Sequence, residues 1–332
     1  MFVGNLYYDV GDIEALMRIS KRGLKRSEET KDQELKAFSY MNLGVSQYYK
    51  SDYKNALKSY EKSLELYKIL ERAQEISYNL NNIAVIYGII NDYEKELNYL
   101  LESIELAQKI QDLHHEGTCL GNIGNNYQSR GNYEKALEYY SKAVRIDEQS
   151  GNLQNKAVHL LQIGLMLENK NELQNSMKNY QEALKISEEL GDSKKVISVL
   201  TCMGRIYTAL GLLDDAEIVY NKALNYSTID QNLIEKANLL DNMGLLYKFR
   251  GETDKALRLM KDAYDLDEKI GDMFGKAVRL NSIGLLYAYI GKKEEASKSY
   301  EKSLKIFESL EEQGYSAVVR KNLESLLKEG HL

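Results

Sequence analysis

A small residue returns every 40 positions along this chain, at Gly4, Gly44, Ala84, Gly124, Gly164, Gly204, Gly244 and Gly284. A second series trails the first by seven residues, at Gly11, Ser51, Asn91, Gly131, Asn171, Gly211, Gly251 and Gly291. No insertion breaks the register. Such a period marks an array of supersecondary units, each too small to bury its apolar face alone and each stacked on neighbours that complete the burial. A chain of 332 residues built this way has a continuous core shared between units and not one closed core.

Each unit divides into two helices. Leu120, Ile123, Gly124 and Tyr127 fall at i, i+3, i+4 and i+7, on one helical face. An apolar residue precedes the small one throughout, as at Leu43, Ile83, Ile163, Met203, Met243 and Ile283. The second series then stops the helix, because Gly and Asn best tolerate the left-handed conformation at a helix C-terminus. Tyr133, Ala136, Leu137, Tyr140, Ala143 and Val144 form the apolar face of the second helix. Gly151, Gly191 and Gly271 end that helix, and Asp112, Asp192 and Asp272 stand where an N-cap opens the next. Ala56, Ala136, Ala216, Ala256 and Ala296, each twelve residues after the first series, suit close helix–helix contact. Tyr60, Tyr140, Tyr180, Tyr220 and Tyr300 are predicted to fill the gap between neighbouring hairpins, as core and not as a stacking platform for a ligand. The chain has no proline, where average usage gives roughly 17, so nothing interrupts these helices.

The pattern predicts an all-α chain, a right-handed α-solenoid forming a single array over residues 1–332. It comprises an abbreviated first repeat (1–31), seven full 40-residue repeats (32–311) and a C-terminal capping helix (312–329). Arg320, Lys321, Glu324 and Lys328 make the helix from Tyr315 amphipathic, as a solvent-facing cap requires. Gly4 fits the register, so Met1 falls partway along a first helix. That is either a natural start or a cut within a larger protein.

These positions resemble the tetratricopeptide repeat, whose pattern sets a large residue, Leu, Gly, Tyr, Ala, an aromatic and Ala at fixed offsets. Tyr40, Leu43, Gly44, Ala56, Tyr60 and Ser63 occupy them in one unit, and Leu240, Met243, Gly244, Tyr247, Ala256, Met260 and Ala263 in another. The resemblance covers nearly the whole chain. Two departures stand out: the period is 40 in place of 34, and the family's proline near the end of the second helix is missing. The longer period predicts longer helices and a deeper groove, and it looks like the variety found in bacterial peptide-pheromone receptors, cortical-polarity adaptors and sensory regions of signalling proteins. The resemblance implies that the first helix of each repeat lines a concave surface.

On that surface one register carries Asn42, Asn82, Asn122, Gln162, Cys202, Asn242 and Ser282. Amides both donate and accept, so a ladder of them pairs with an extended peptide backbone whatever its sequence. The competing reading has the same amides bind water or close helix–helix hydrogen bonds. A second register holds Val45, Val85, Asn125, Leu165, Arg205, Leu245 and Leu285, and a third holds Phe38, Tyr78, Thr118, Val158, Ser198, Asn238 and Val278. An apolar lining of this kind suits a partner, although packing between adjacent first helices accounts for part of it. Arg205 is the one obvious cation, which disfavours an acidic C-terminal tail. Gly88 and Gly121 lie inside first helices, at about 1 kcal/mol each relative to alanine. They are expected to open the groove floor among Asn81, Asn82, Asn122, Asn125 and Asn126, the centre of a peptide site. The alternative is drift in the second unit, where Ala84 replaces the packing glycine and Glu96 the small residue opposite.

Composition narrows the remaining classes. A formal net charge of −6 argues against generic nucleic-acid binding. Apolar runs are too short for a membrane span, the N-terminus lacks a signal-peptide pattern, and two cysteines cannot form a disulfide framework, so a cytoplasmic location is expected. GNIGNN at 121–126 follows no strand and is no phosphate loop. His115, Cys119 and His159 share a region, but their spacing is no known zinc signature. His114 and His115 are assigned to an inter-repeat turn and His331 to a frayed tail. No catalytic triad or Cys–His pair is legible, so no cofactor, metal or enzymatic role is expected. The predicted function is a noncatalytic interaction module that binds a peptide segment of a partner in its groove, as an adaptor or a sensory domain. It is expected to be a monomer, or a weak homo-oligomer joined through the N-terminal repeat. The alternatives are the regulatory region of a larger signalling kinase or protease, or a self-associating scaffold.

Overall fold

Every twenty residues the backbone turns over through one residue in the left-handed region. In the computed structural model, which describes residues 12–230 and 233–328, that residue is a glycine at 131, 151, 191, 211, 251, 271 and 291. It is Lys31, Ser51, Glu71, Asn91, Gln111, Asn171 or Glu311 elsewhere, with φ between 54° and 61°. The 40-residue repeat is therefore a doubled 20-residue rhythm. Among the described residues both kinds of turn use the same geometry, and four of the later-named positions do so with side chains other than Gly, Asn or Ser. The residue following each left-handed one is commonly Asp or Asn. Asp32, Asp52, Asp92, Asp112, Asn132, Asp192 and Asp272 each accept a hydrogen bond from the backbone N–H three residues on, opening the next helix.

Sixteen α-helices, and no strand, make up the described residues. In order they are α1 (Ile13–Thr30), α2 (Gln33–Tyr49), α3 (Tyr53–Ile69), α4 (Ala73–Ile89), α5 (Tyr93–Lys109), α6 (Leu113–Ser129), α7 (Tyr133–Ser150) and α8 (Leu153–Asn169). Then follow α9 (Leu173–Glu189), α10 (Ser193–Ala209), α11 (Leu213–Asp230), α12 (Leu233–Phe249), α13 (Thr253–Ile270), α14 (Met273–Tyr289), α15 (Lys293–Ser309) and α16 (Gln313–Lys328). Even-numbered helices are the first helices of repeats and odd-numbered ones the second. Gly4, Gly11 and the first helix of the abbreviated repeat lie outside the described residues, as does His331. The chain forms two units, one running to Met166 and the other beginning at Leu167. Within each, a second helix packs on the first helix of its own repeat and on that of the next.

The first-series glycine is the contact point inside each hairpin. A Cβ built on Gly44 would lie 2.7 Å from the ring of Tyr60, and the same holds for Gly124 against Tyr140 (2.6 Å), Gly204 against Tyr220 (2.3 Å) and Gly284 against Tyr300 (2.7 Å). The tyrosines thus sit on the glycine of their own repeat, where the sequence pattern had placed them between hairpins. They are buried all the same. The small residues at Ala56, Ala136, Ala216, Ala256 and Ala296 are fully buried one turn earlier.

Two interior glycines of the first unit turn out to be filled, not open. The space above Gly88 holds the Glu96 carboxylate, 2.7 Å from where a Cβ would be. Glu96 accepts from Asn126 Nδ2 at 2.7 Å, and burial pushes its carboxyl above the usual range. Above Gly121 lies the His159 ring, with Nε2 2.1 Å from the Cβ position, and Gly117 accommodates Asp147. His159 Nδ1 is 2.6 Å from Asp147 Oδ2, and both residues are buried. The expected opening of the groove floor at Gly88 and Gly121 is therefore corrected: each glycine makes room for a buried polar side chain from another helix. The second unit repeats the device 120 residues on. Asp267 Oδ2 lies 3.2 Å from Nε of Arg279, whose Nη1 is 3.2 Å from Asp241 Oδ2. Burial pushes both of these carboxyls up, against the pull of the guanidinium.

His115 belongs to the first turn of α6, not to the loop before it, and is buried. Its Nε2 lies 3.0 Å from Ser103 Oγ and 3.5 Å from Cys119 Sγ, and its ring meets Tyr78 edge-on at 4.4 Å. Burial holds the imidazole below its usual pKa and pushes the Cys119 thiol up to about 12.

Two consequences are measurable. Gly204→Ala should lower the stability of its unit by about 1–3 kcal/mol, the cost of overpacking against Tyr220. Gly314→Ala, where nothing lies within 4 Å, should not; urea melts followed by helical circular dichroism compare them. His115 binds its proton less readily folded than unfolded. The unfolded chain therefore takes up the extra proton as pH falls below about 6.5, and stability is lost on that side. The drop in urea midpoint between pH 7 and pH 5.5 should shrink in His115→Asn; an unchanged drop would assign it to other groups.

Candidate functional site

The candidate surface is the exposed face of the first-helix layer, taken unit by unit. In the first unit α2, α4 and α6 present Phe38, Asn42 and Val45, then Tyr78, Asn82 and Val85, then Thr118, Asn122 and Asn125. All are half-buried except exposed Asn125. Helical spacing aligns them: positions four and seven apart share a face, and the 40-residue register carries that face to the next hairpin.

The amides divide by what holds them. Asn122 Nδ2 donates to Asn81 Oδ1 of the preceding first helix at 2.9 Å. The same bond recurs in the second unit, where Asn322 donates to Asn281 at 3.0 Å, and Ser282 Oγ donates to Asp241 at 3.1 Å. These groups stitch adjacent first helices. Asn242 donates to the carbonyl of Asn238, one turn back in its own helix, at 2.8 Å. Asn125 accepts from Tyr140 OH at 2.6 Å. Among the described residues the side chains of Asn42, Asn82 and Gln162 make no hydrogen bond. The ladder is thus part stitching and part available.

Arg205 is not a free cation. Its Nε and Nη2 bond Glu168 at 2.7 and 2.8 Å, and this pairing drives the guanidinium above its usual range despite burial. Glu168 also accepts from Tyr180 OH at 2.9 Å.

At the N-terminal ends of α2 and α4 lies a cleft of about 300 Å³ lined by Glu34, Leu35, Phe38, Met41, Tyr67, Glu75 and Tyr78. Tyr78 OH donates to Asp112 at 2.9 Å and accepts from Gln74 at 3.0 Å; burial pushes its pKa up to about 12. Burial, then the Glu75 and Glu34 carboxylates, push the Tyr67 phenol up, with Arg72 acting the other way. Sequence reasoning reached Phe38 and Tyr78 but not Glu34, Met41, Tyr67 or Glu75. The signal was there: 34, 41 and 75 lie on the same helical faces as 38 and 78. In the second unit the exposed face is apolar: Phe249 is 64% exposed, Tyr289 62%, and Leu285 stands beside them. Lys248 Nζ lies 5.0 Å from the centre of the Tyr289 ring. These ring positions, four residues beyond the Leu245–Leu285 register, were also missed.

Among the described residues no three His, Cys, Asp or Glu side chains are placed to hold a metal ion, and no helix is long and apolar enough to cross a membrane.

Two family models match the chain, both described as tetratricopeptide repeat, one over residues 75–149 and 235–309 and the other over 39–75, 160–190 and 198–228. No curated protein matches by sequence. Among solved structures the apo form of RapI superposes with a TM-score of 0.70 at 15% identity, covering 83% of this chain and 99% of that one. Aspartyl phosphate phosphatase F from Bacillus subtilis gives 0.68 at 16% identity, covering 85% and 73%. The apo form of the quorum sensor NprR from B. thuringiensis gives 0.58 at 17% identity, covering 97% and 99%. At these identities the likeness is one of fold. The sequence register, the paired helices and the matching models agree: this chain belongs to the tetratricopeptide repeat family.

Proposed function

We propose that this chain is a noncatalytic interaction module that binds a peptide segment of a partner along its first-helix layer, in an adaptor or sensory role. The observation that carries the reading is the pair Asn42 and Asn82. Both are half-buried amides on adjacent first helices, without hydrogen-bond partners among the described residues, flanked by Phe38, Tyr78, Val45 and Val85. A peptide backbone supplies alternate donors and acceptors, and the flanking apolar groups receive its side chains. Family membership supports interaction over chemistry. So do solved structures of similar fold, whose descriptions include a quorum sensor and a Rap protein complexed with competence and sporulation factor, the latter at a TM-score of 0.60.

Selection of a phage-displayed random peptide library against the whole chain tests this. Selected peptides should lose roughly thirtyfold in affinity to the Asn42→Ala/Asn82→Ala variant, at about 1 kcal/mol per lost hydrogen bond. Asn122→Ala, which breaks a stitch to Asn81, should lower stability more than affinity. Failure to select any peptide, or peptides indifferent to the double variant, would remove the site from this face.

A further inference from the structure

The cleft between α2 and α4 differs from three other gaps of its kind, those between α4 and α6, α6 and α8, and α10 and α12. In the register of Phe38 and Glu75, two later repeats place a polar pair that bridges adjacent first helices. Asn155 Nδ2 donates to Thr118 Oγ1 at 3.1 Å, and Ser198 Oγ donates to Glu235 Oε2 at 3.1 Å. Residues 155 and 235 are the counterparts of Glu75, two and four repeats on; 118 and 198 are the counterparts of Phe38. The gap between α4 and α6 is closed too, by Tyr78 on Asp112 and by the His115 ring. At the first gap Phe38 has no polar atom to offer, and Glu75 makes no side-chain hydrogen bond or ion pair among the described residues.

The charge count points the same way. Glu34 is held by Arg72, with Nε and Nη2 each 3.2 Å from a carboxylate oxygen. Two carboxylates thus face one guanidinium, and the guanidinium is committed to Glu34. Glu75 sits in the first turn of α4. It is half-buried, beside the rings of Phe38, Tyr67 and Tyr78 and the thioether of Met41. An apolar guest would cover a carboxylate without pairing it, which is unfavourable, and an acidic guest would be repelled. An alkyl stem ending in a cation satisfies both parts of the wall: the stem lies on Met41 and Phe38, the head meets Glu75, and the aromatic faces add cation–π attraction.

We propose that this cleft receives the basic side chain, lysine or arginine, of a ligand segment. The inference deepens the peptide-binding reading, yet the cleft can be tested without any peptide. The probes are Nα-acetyl-lysine methylamide and Nα-acetyl-arginine methylamide, titrated into the full chain carrying ¹³C-labelled phenylalanine; the chain has five such residues. The neutral isostere Nα-acetyl-norleucine methylamide and the small cation choline serve as comparisons. The Phe38 resonance, assigned through Phe38→Leu, should shift saturably with the two basic probes. Norleucine amide should bind at least tenfold more weakly. Glu75→Gln, checked for unchanged helical content, should weaken the basic probes at least tenfold and leave the norleucine response alone. Raised salt should weaken the basic probes only. Absence of saturable shifts, equal response to norleucine, or unchanged binding in Glu75→Gln would each overturn the proposal. Tighter binding of choline than of either basic amino-acid probe would overturn it in favour of a free small cation. A cleft that binds lysine amide in a chain that selects no peptide would leave this inference standing and remove the peptide-binding reading.

Discussion

The contact on which the rest of the molecule depends is a tyrosine ring laid on a glycine. In the repeats of Gly44, Gly124, Gly204 and Gly284 the two helices of a hairpin meet where a Cβ would overlap the ring of the partner helix. The absent side chain sets how closely the helices approach. The tyrosine then buries its ring in the hairpin and sends its hydroxyl to the edge of the exposed first-helix face. Tyr140 OH reaches Asn125 and Gln128, and Tyr180 OH reaches Glu168. One residue therefore sets helix spacing and also orients polar groups on the candidate surface. This links core packing to the binding face directly, with no loop between them.

Where the glycine is missing, the repeat solves the same packing problem differently. Ala84 takes the glycine position in the second full repeat, and Glu96 takes the position of the small residue opposite. The carboxylate needs room and a donor. Gly88 supplies the room one turn further along α4, and Asn126 supplies the donor from α6. Asp147 with His159, and Asp267 with Arg279, are variants of one exchange: an acid in the second helix, a basic group twelve residues on in the next first helix, and glycines at 117, 121 and 275 that clear the space. A buried pair of this kind contributes little net stability against an apolar isostere, but losing one partner strands the other. It therefore favours the native stacking of one helix on the next over other pairings of near-identical hairpins, a specificity that an array of similar units needs.

How much of this the sequence disclosed follows from how the repeat works. Positions where every unit solves the problem alike stand out as columns: the glycines, the tyrosines, and the aspartate caps at 112, 192 and 272. The helices followed, and so did the first-helix face. What stayed hidden were pairs in which one repeat departs from the column and a neighbour compensates. Glycine at 88 or 121 signals only that space is required, not whether a ligand or a side chain fills it. The partner comes from a different helix, at separations of 8 or 38 residues that no single-helix period reveals. Lys31, Glu71, Gln111 and Glu311 were illegible as turns because backbone bonds, not side-chain type, close them: the N–H of the next residue donates to the carbonyl five residues back, as Asp32 does to Ser27 and Arg72 to Tyr67. Conversely, the amides looked uniform in sequence and are not so in space, because Asn122 has Asn81 within reach and Asn82 has only Met41 at the corresponding position.

The repeat also supplies its own controls, because each gap between first helices is the same backbone with different side chains. Thr118 with Asn155 and Ser198 with Glu235 show that this gap is satisfied when a hydroxyl faces an amide or a carboxylate. The wall of Phe38 facing Glu75 retains the carboxylate and loses the hydroxyl. A carboxylate facing a ring suits an alkyl cation and suits water poorly. The same comparison explains why the surface divides as it does: gaps closed by their own side chains hold neighbouring hairpins together, and a gap left half-complemented is available to something outside the chain.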